Sequence, residues 1–212
     1  MPDEGLIAFE PRKTPVQARS TVTVEAISEA TIQVLLSQGA ERLTTTRVAE
    51  RAGVSVGTLY QYYPNKRSLL FAVLERHMND VATKVEAACE SACHKPLAEM
   101  IREMVEAFVD AKMERADISV ALYRVAGDVG GTALVRRVAQ RSRKAVGEML
   151  QTAPDVKYPP HKFIVDLMLS AMAGAMRSLL EAGPSPATVR KSREQLVLLC
   201  GSYLAAATAK LV

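Results

Sequence analysis

Between Leu43 and Leu70 the chain reads LTTTRVAERAGVSVGTLYQYYPNKRSLL, and no other stretch restricts the architecture as much. Thr44, Thr45 and Thr46 offer N-cap hydroxyls before a short helix that carries Val48, Ala49 and Ala52. Four positions after Ala49 stands Gly53, the residue that tolerates the positive φ of a tight turn. Ser55 then caps a second short helix, Val56 to Tyr62, and Pro64-Asn65 separates it from a longer one that starts near Lys66. Ala49 is small enough for two helix axes to cross closely, and Val48, Ala52, Val54 and Leu59 supply anchors to a core. What remains on the second helix is Ser55, Val56, Gly57, Thr58, Tyr60, Gln61 and Tyr62, a set of small and hydrogen-bonding residues suited to a major groove. A lone Ala-x-x-x-Gly fits any helical hairpin. Here the turn, the anchors, the exposed set, the tyrosines and Pro64-Asn65-Lys66-Arg67 occur together. Tyrosine hydroxyls, a lysine and a helix N-terminus are all phosphate-binding groups.

The rest of the chain also has helical periodicity, so the expected fold class is all-α: a three-helix head carrying a helix-turn-helix, followed by a larger helical body. The first helix is expected from near Val16 to just before Gly39, with Ile27, Ala30, Val34 and Leu35 facing inward. A long helix follows from about Lys66 to Cys93, then another after Pro96 that carries Met100, Met104, Phe108 and Val109. Gly127, Gly130 and Gly131 mark a break before a basic helix, about Ala133 to Gln151. A loop over residues 152–160 leads to two long helices parted by Gly183-Pro184-Ser185-Pro186. The expected division is an arm over residues 1–15, a DNA-binding domain over 16–65 and a body over 66–212.

Charge supports a nucleic-acid partner without deciding it. From Pro11 to Arg67 eight basic residues face four acidic ones, but Asp3, Glu4 and Glu10 offset most of that excess. The chain start has no apolar run of signal-peptide type, and Phe163 to Met176 is short for a bilayer and reads as a buried helix. Three cysteines without a framework spacing suit a reducing cytoplasm.

The Leu43–Leu70 segment resembles the DNA-binding head of the TetR family of bacterial regulators. The shared features are Thr44-Thr45 before the first short helix, Gly57-Thr58-Leu59-Tyr60 in the second, and Lys66-x-x-Leu69-Leu70 after it. The match extends over about fifty residues, Ala18 to Leu74, and beyond it covers fold only. The resemblance implies a homodimeric transcriptional repressor, released from a palindromic operator by a small hydrophobic or amphipathic effector, with no catalytic role and no cofactor. It implies phosphate contacts from Thr45, Thr46 and Lys66, and base-edge contacts from Val56, Gly57, Thr58 and Gln61, with Ser55 also counted on the DNA-binding surface. Tyr60 and Tyr62 would meet phosphate or a thymine methyl. The family often has aromatic-His-Phe where this chain has Tyr62-Tyr63-Pro64, so the His role passes to Tyr62. Gln61 is the best candidate for a bidentate base contact, so part of the specificity is expected from DNA shape.

The body carries weaker signals. Arg12-Lys13 reads either as an arm into a minor groove or as a tail that adds only charge. Cys89, Cys93 and His94 lack a fourth ligand, and no metal is expected there. Arg136, Arg137, Arg141, Arg143 and Lys144 span more than one face of their helix, which suits a solvated surface more than an anionic partner. Methionines in the body fill a core or line a pocket, and the pocket implied by the resemblance would draw on Met104, Phe108, Tyr123, Met168 and Met172. The last two helices bring small residues, Ala171, Gly174, Ala175 and Ser178, together with Leu196, Cys200 and Leu204. These are expected to form an intersubunit four-helix bundle, with packing inside one chain as the alternative. Enzyme signatures such as HExxH, a nucleotide loop or a Cys/His/Asp constellation are lacking, and His77, His94 and His161 stand apart.

Overall fold

The computed structural model describes residues 18–157 and 159–209. The Arg12-Lys13 arm and the expected start of the first helix lie outside the described residues. Among the described residues there are nine helices and no strand. They are α1 (Ala18–Arg42), α2 (Thr45–Ala52), α3 (Val56–Tyr62), α4 (Lys66–Ala92), α5 (Leu97–Glu114), α6 (Ala116–Val125), α7 (Gly131–Leu150), α8 (Lys162–Glu181) and α9 (Pro186–Ala209).

The chain forms two compact units. The first runs through Met78 and takes in Asp117–Arg136; the second consists of Asn79–Ala116 and Arg137–Val212. The unit that holds the expected head therefore continues past residue 65 along α4 and recruits α6 and the start of α7.

In the first unit, Ile27, Ala30, Val34, Leu35, Leu43, Val48, Ala49, Leu59, Leu69, Leu70 and Phe71 are buried. Gly39 breaks α1 with φ 78°, and a final turn carries on to Arg42, so the helix ends three residues later than the glycine alone suggests. Gly131 is fixed by crowding: a Cβ there would lie 2.7 Å from both the Ala126 carbonyl oxygen and the Leu74 side chain. Only glycine lets α7 begin so close to α4 and the end of α6.

The second unit is built on α5, α8 and α9, with α9 packed on both of the others. The helix expected after Pro96 ends at Glu114, and α6 begins at Ala116 after Arg115 leaves the helical region (φ −132°, ψ 60°). No glycine or proline marks this break. The turn from α4 to α5 is held by the loop after α7. The His94 N–H donates to Thr152 Oγ1 at 2.8 Å, and the Leu97 N–H donates to Asp155 Oδ1 at 2.9 Å. Thus Asp155 satisfies a donor at the start of α5, where Pro96 has no capping side chain.

Much of the basic charge on α7 is answered within the second unit. Arg141 grips Glu86 through two nitrogens, at 3.0 and 2.7 Å, and reaches Asn79 Oδ1 at 2.7 Å. Arg143 pairs with Asp166 of α8 at 3.1 Å, and Lys144 with Glu148 at 3.9 Å. The expected solvated surface is thus partly a set of ion pairs.

The expectation that Phe163–Met176 is too short and lies buried needs correction. Helix α8 runs for 20 residues at a mean hydropathy of 1.5, long and apolar enough by composition to cross a membrane, and only 28% of that window is buried. Val165, Met168, Met172, Met176 and Leu180 face inward, whereas Phe163 and Leu167 are 68% and 48% exposed. Periodicity puts the two sets on opposite faces of the helix.

Candidate nucleic-acid interface

The α2–α3 pair is assembled by local capping. Thr44 is the N-cap of α2, its hydroxyl accepting from the Arg47 N–H at 3.3 Å. At the other end Gly53 adopts φ 67°, ψ 28°, and its N–H returns to the Glu50 carbonyl at 3.2 Å. That left-handed residue reverses the chain between the helices, the role the spacing assigns to it. Ser55 caps α3 by accepting from the Thr58 N–H at 2.9 Å, and its hydroxyl also bonds the Thr58 hydroxyl at 2.8 Å. Val48, Ala49 and Leu59 are fully buried, while Ala52 and Val54 are half-buried.

With Leu59 turned into the core, α3 presents Gly57, Tyr60 and Gln61 to solvent, with Val56, Thr58 and Tyr62 half-buried beside them. Ser55 and Thr58 spend hydrogen-bonding capacity on each other and on the cap, so Gln61 is the freest long polar side chain on this helix. The Tyr60 hydroxyl meets Thr45 Oγ1 at 3.1 Å, joining α3 to the first residue of α2. Thr46 is exposed beside Thr45. A hydroxyl pair of this kind leaves one O–H free to donate outward.

Lys66 is the first residue of α4 and half-buried. The residue that caps α4 is Asn65, which the sequence reading treats only as a separator. Its Oδ1 accepts from the Ser68 N–H at 3.0 Å, and Ser68 Oγ accepts from the Asn65 N–H at 3.3 Å. This reciprocal pair was legible as Asn-x-x-Ser at a helix start. Tyr63 is buried, which pushes its hydroxyl pKa up from 10.0 and makes it a core residue beside the exposed Tyr60.

Arg47 and Arg51 contribute to the local positive charge, but both are tied to α1. Arg47 donates to the Arg42 carbonyl at 2.7 Å and to Gln38 at 2.9 Å; Arg51 donates to Gln33 at 2.6 Å. They brace α2 on α1.

The other candidate residues divide as follows. Met104, Phe108, Met168 and Met172 are buried in the second unit, and Tyr123, half-buried, belongs to the first. Ala171, Gly174, Ala175 and Ser178 are exposed on the outward face of α8. Leu196, Cys200 and Leu204 follow the alternative of packing inside one chain. They are 5%, 0% and 0% exposed within a single chain, so they pack on their own protomer and have almost no surface to offer a partner. The exposed apolar residues of α9 are Leu198 and Leu199, on the other side of that helix. Burial pushes the Cys200 thiol up to about 11 and the Cys89 thiol up to about 12, so neither is a ready thiolate. Cys93 Sγ donates to the Cys89 carbonyl at 3.3 Å, as a side chain does on its own helix.

Sequence reasoning passed over Lys112. This lysine lies on the buried face of α5, four residues after Phe108, and is 8% exposed. A lysine falling on an apolar stripe was the available signal.

Two family models match the chain. One, bacterial regulatory proteins of the tetR family, matches residues 27–73; the other, the tetracyclin repressor-like C-terminal domain, matches residues 96–204. Among curated proteins, the HTH-type transcriptional repressor KstR of Mycolicibacterium smegmatis is 40% identical over 62 residues, 29% of this chain and 30% of that protein. The nucleoid occlusion factor SlmA of Haemophilus ducreyi is 37% identical over 65 residues, 30% and 32% of the two chains. These alignments span about a third of the curated relatives' length. Among solved structures, a TetR-family transcriptional regulator from Mesorhizobium loti superposes with a TM-score of 0.74 at 14% identity, covering 90% of this chain and 98% of the other. The fatty acid degradation regulator FadR of Bacillus halodurans superposes with a TM-score of 0.64 at 16% identity, covering 88% and 96%. At such identities the likeness is one of fold.

Proposed function

The chain belongs to the TetR family of bacterial transcriptional regulators, and from that premise we propose that it is a repressor released from a palindromic operator by a small effector. The observation that carries the reading is the construction of α2 and α3. A left-handed glycine turn and a serine cap hold Leu59 inward and leave Gly57, Tyr60 and Gln61 outward on a short, rigid helix. In this reading Gln61 reads a base edge, with Val56, Gly57 and Thr58 close to the groove floor. Thr45, Thr46, Tyr60, Tyr62 and Lys66 hold phosphates. Ser55 acts mainly as the cap that sets the angle of α3.

Two copies act together. The outward stripe of α8, Phe163, Leu167, Ala171, Gly174, Ala175 and Ser178, meets its counterpart beside Leu198 and Leu199 of α9. The four helices form a bundle about a two-fold axis. A large apolar face on a single chain, rimmed by charged residues such as Lys162 and Arg177, supports this assignment. The effector occupies the methionine-rich interior of the body, where unbranched thioether side chains repack around a hydrophobic or amphipathic molecule. Such a regulator works in the cytoplasm.

Fluorescence anisotropy on a duplex selected from random sequence, and on a scrambled duplex, tests the DNA part. Affinity for both is expected to fall with rising salt, and the selected site to be a palindrome with half-sites about one helical turn, or a multiple of it, apart. Lys66→Ala is expected to weaken both duplexes alike and to flatten the salt slope by about one counterion. Gln61→Ala is expected to narrow the gap between the two duplexes by roughly 1–3 kcal/mol. Salt-independent binding, or no binding to any duplex, refutes the reading.

A further inference from the structure

A cleft of about 390 Å³ opens on the head between α1 and α2. Gln33, Val34 and Gln38 of α1 line one side, and Arg47, Glu50 and Arg51 of α2 the other. All of them belong to the first unit. Thr45 ties α2 to Tyr60 of α3, the helix proposed to read base edges. Arg47 and Arg51 reach α1 instead. At 3.6 residues per turn these are different faces of α2, so the contacts proposed for α3 leave the cleft unused.

Both arginines are held at one edge only. Arg47 donates through Nη1 to the Gln38 side chain at 2.9 Å and to the Arg42 carbonyl at 2.7 Å. Arg51 donates through Nε to Gln33 Oε1 at 2.6 Å. Gln33 is fixed in turn, its Nε2 donating to Glu29 at 3.2 Å. A guanidinium carries five N–H donors. Nε and Nη2 of Arg47, and both terminal nitrogens of Arg51, have no acceptor among the described residues. Glu50 lines the same cleft but forms no ion pair with either arginine, so their charge is not neutralised by contact. A side chain already oriented by the protein loses less freedom when a ligand takes its remaining donors.

We propose that this cleft is a phosphate site, in which the open edges of Arg47 and Arg51 close on one ligand from two sides. The two residues are four apart on α2, about 6 Å along the axis. A guanidinium fork matches a pair of phosphate oxygens, and its hydrogen bonds to them are charge-assisted. The phosphate can come from two sources. One is a free phosphorylated solute. The other is the duplex backbone beside the groove that α3 enters, since the first helix of such a pair crosses that backbone.

The test uses the full chain in two arms: inorganic pyrophosphate titrated by calorimetry without DNA, and anisotropy on operator and scrambled duplexes at several salt concentrations. Arg51→Gln neutralises one fork at an exposed position, so the fold is expected to persist in circular dichroism. Arg102→Gln, at an exposed position on α5 in the second unit, controls for net charge. If the source is a free solute, the wild type binds about one pyrophosphate per chain and Arg51→Gln binds it on the order of tenfold more weakly, with duplex affinity unchanged. If the source is the backbone, Arg51→Gln weakens both duplexes alike and flattens the salt slope by about one counterion, whether or not pyrophosphate binds. In both cases Arg102→Gln behaves as the wild type. Unchanged duplex binding, with pyrophosphate unbound or bound equally by wild type and Arg51→Gln, overturns the proposal. So does the same loss in Arg102→Gln. A fall in duplex affinity with an unchanged salt slope and unchanged pyrophosphate binding makes Arg51 a brace alone and also overturns it. The calorimetric arm needs no DNA, so this site and the DNA reading can fail separately.

Discussion

Replacing Lys112 by methionine gives a stability change whose sign and pH dependence both follow from where the amine lies. Methionine has a similar length and no branching, so it fills the same space, and the change isolates the charge. Burial holds the ammonium's pKa near 8, against 10.5 for a free lysine. At about 1.4 kcal/mol per tenfold change in the protonation equilibrium, that displacement corresponds to roughly 3 kcal/mol against the charged form in the folded chain. At neutral pH the lysine is charged both folded and unfolded, and folding bears that cost less whatever the ammonium recovers from the partner it has in the fold. Lys112→Met is therefore expected to raise the unfolding free energy at neutral pH by up to about 3 kcal/mol. As pH rises past 8 the folded protein releases the proton while the unfolded chain keeps it until about 10.5. The unfolded state then binds more protons, so wild-type stability climbs and the advantage of methionine shrinks. Cys89 and Cys200 act in the opposite sense. Their thiols stay protonated in the fold up to about 12 and about 11, while unfolded thiols ionise near 9.0, which lowers stability above that pH. Both proteins share this loss, so it cancels in the difference. Urea unfolding followed by circular dichroism, at equal chain concentration and across this range, measures it. A difference that stays constant with pH, or a methionine variant clearly less stable at neutral pH, refutes the reasoning.

Three glycines and the outward face of α8 give further tests. At Gly57 an added Cβ would meet only Ser55 Oγ, at 3.7 Å, so Gly57→Ala is expected to stabilise α3 by about 0.5–1 kcal/mol. The same variant is expected to weaken operator binding; unchanged affinity in anisotropy would remove Gly57 from the DNA contact. At Gly53 there is space but φ is 67°, so Gly53→Ala is expected to lower stability by about 1 kcal/mol in urea titrations. At Gly131 the space is closed, by the Ala126 carbonyl and the Leu74 side chain at 2.7 Å, so Gly131→Ala is expected to cost more than Gly53→Ala; the reverse order would refute the crowding argument. Gly174 faces open space, so Gly174→Arg is expected to leave the protomer's circular dichroism intact and to halve the mass seen by light scattering. A full-mass dimer would move the seam elsewhere.

The head was legible in the sequence because its determinants are local. Thr44, Gly53 and Ser55 act within four residues of themselves, and the bounds of α3 fall where the serine cap and Pro64 put them. The body was less legible because its determinants are distant. The break at Arg115 has no glycine or proline to announce it, and the partners of Arg141, Glu86 and Asn79, lie on another helix. On α9 the apolar residues surround the helix, so periodicity alone could not say which side meets its own chain. Packing resolves it: Leu196, Cys200 and Leu204 recur every four residues and point inward, leaving Leu198 and Leu199 outside.

The same reasoning separates two readings of α8, whose length and hydropathy would equally fit a membrane span. In lipid a helix gains from bulky apolar groups all round, and a buried charge pair is costly. On α8 the methionines point into the protomer, and much of the outward stripe is made of Ala171, Gly174, Ala175 and Ser178, which cover little lipid but let another helix approach closely. Asp166 is paired with Arg143 of α7. A helix with its methionines turned inward and, past Phe163 and Leu167, mostly small residues turned outward has two sides suited to protein. One is satisfied by α9 of its own chain; the other, in the proposed dimer, by the same stripe of a second copy, which is why residues facing open space in one protomer are the ones whose enlargement should matter most.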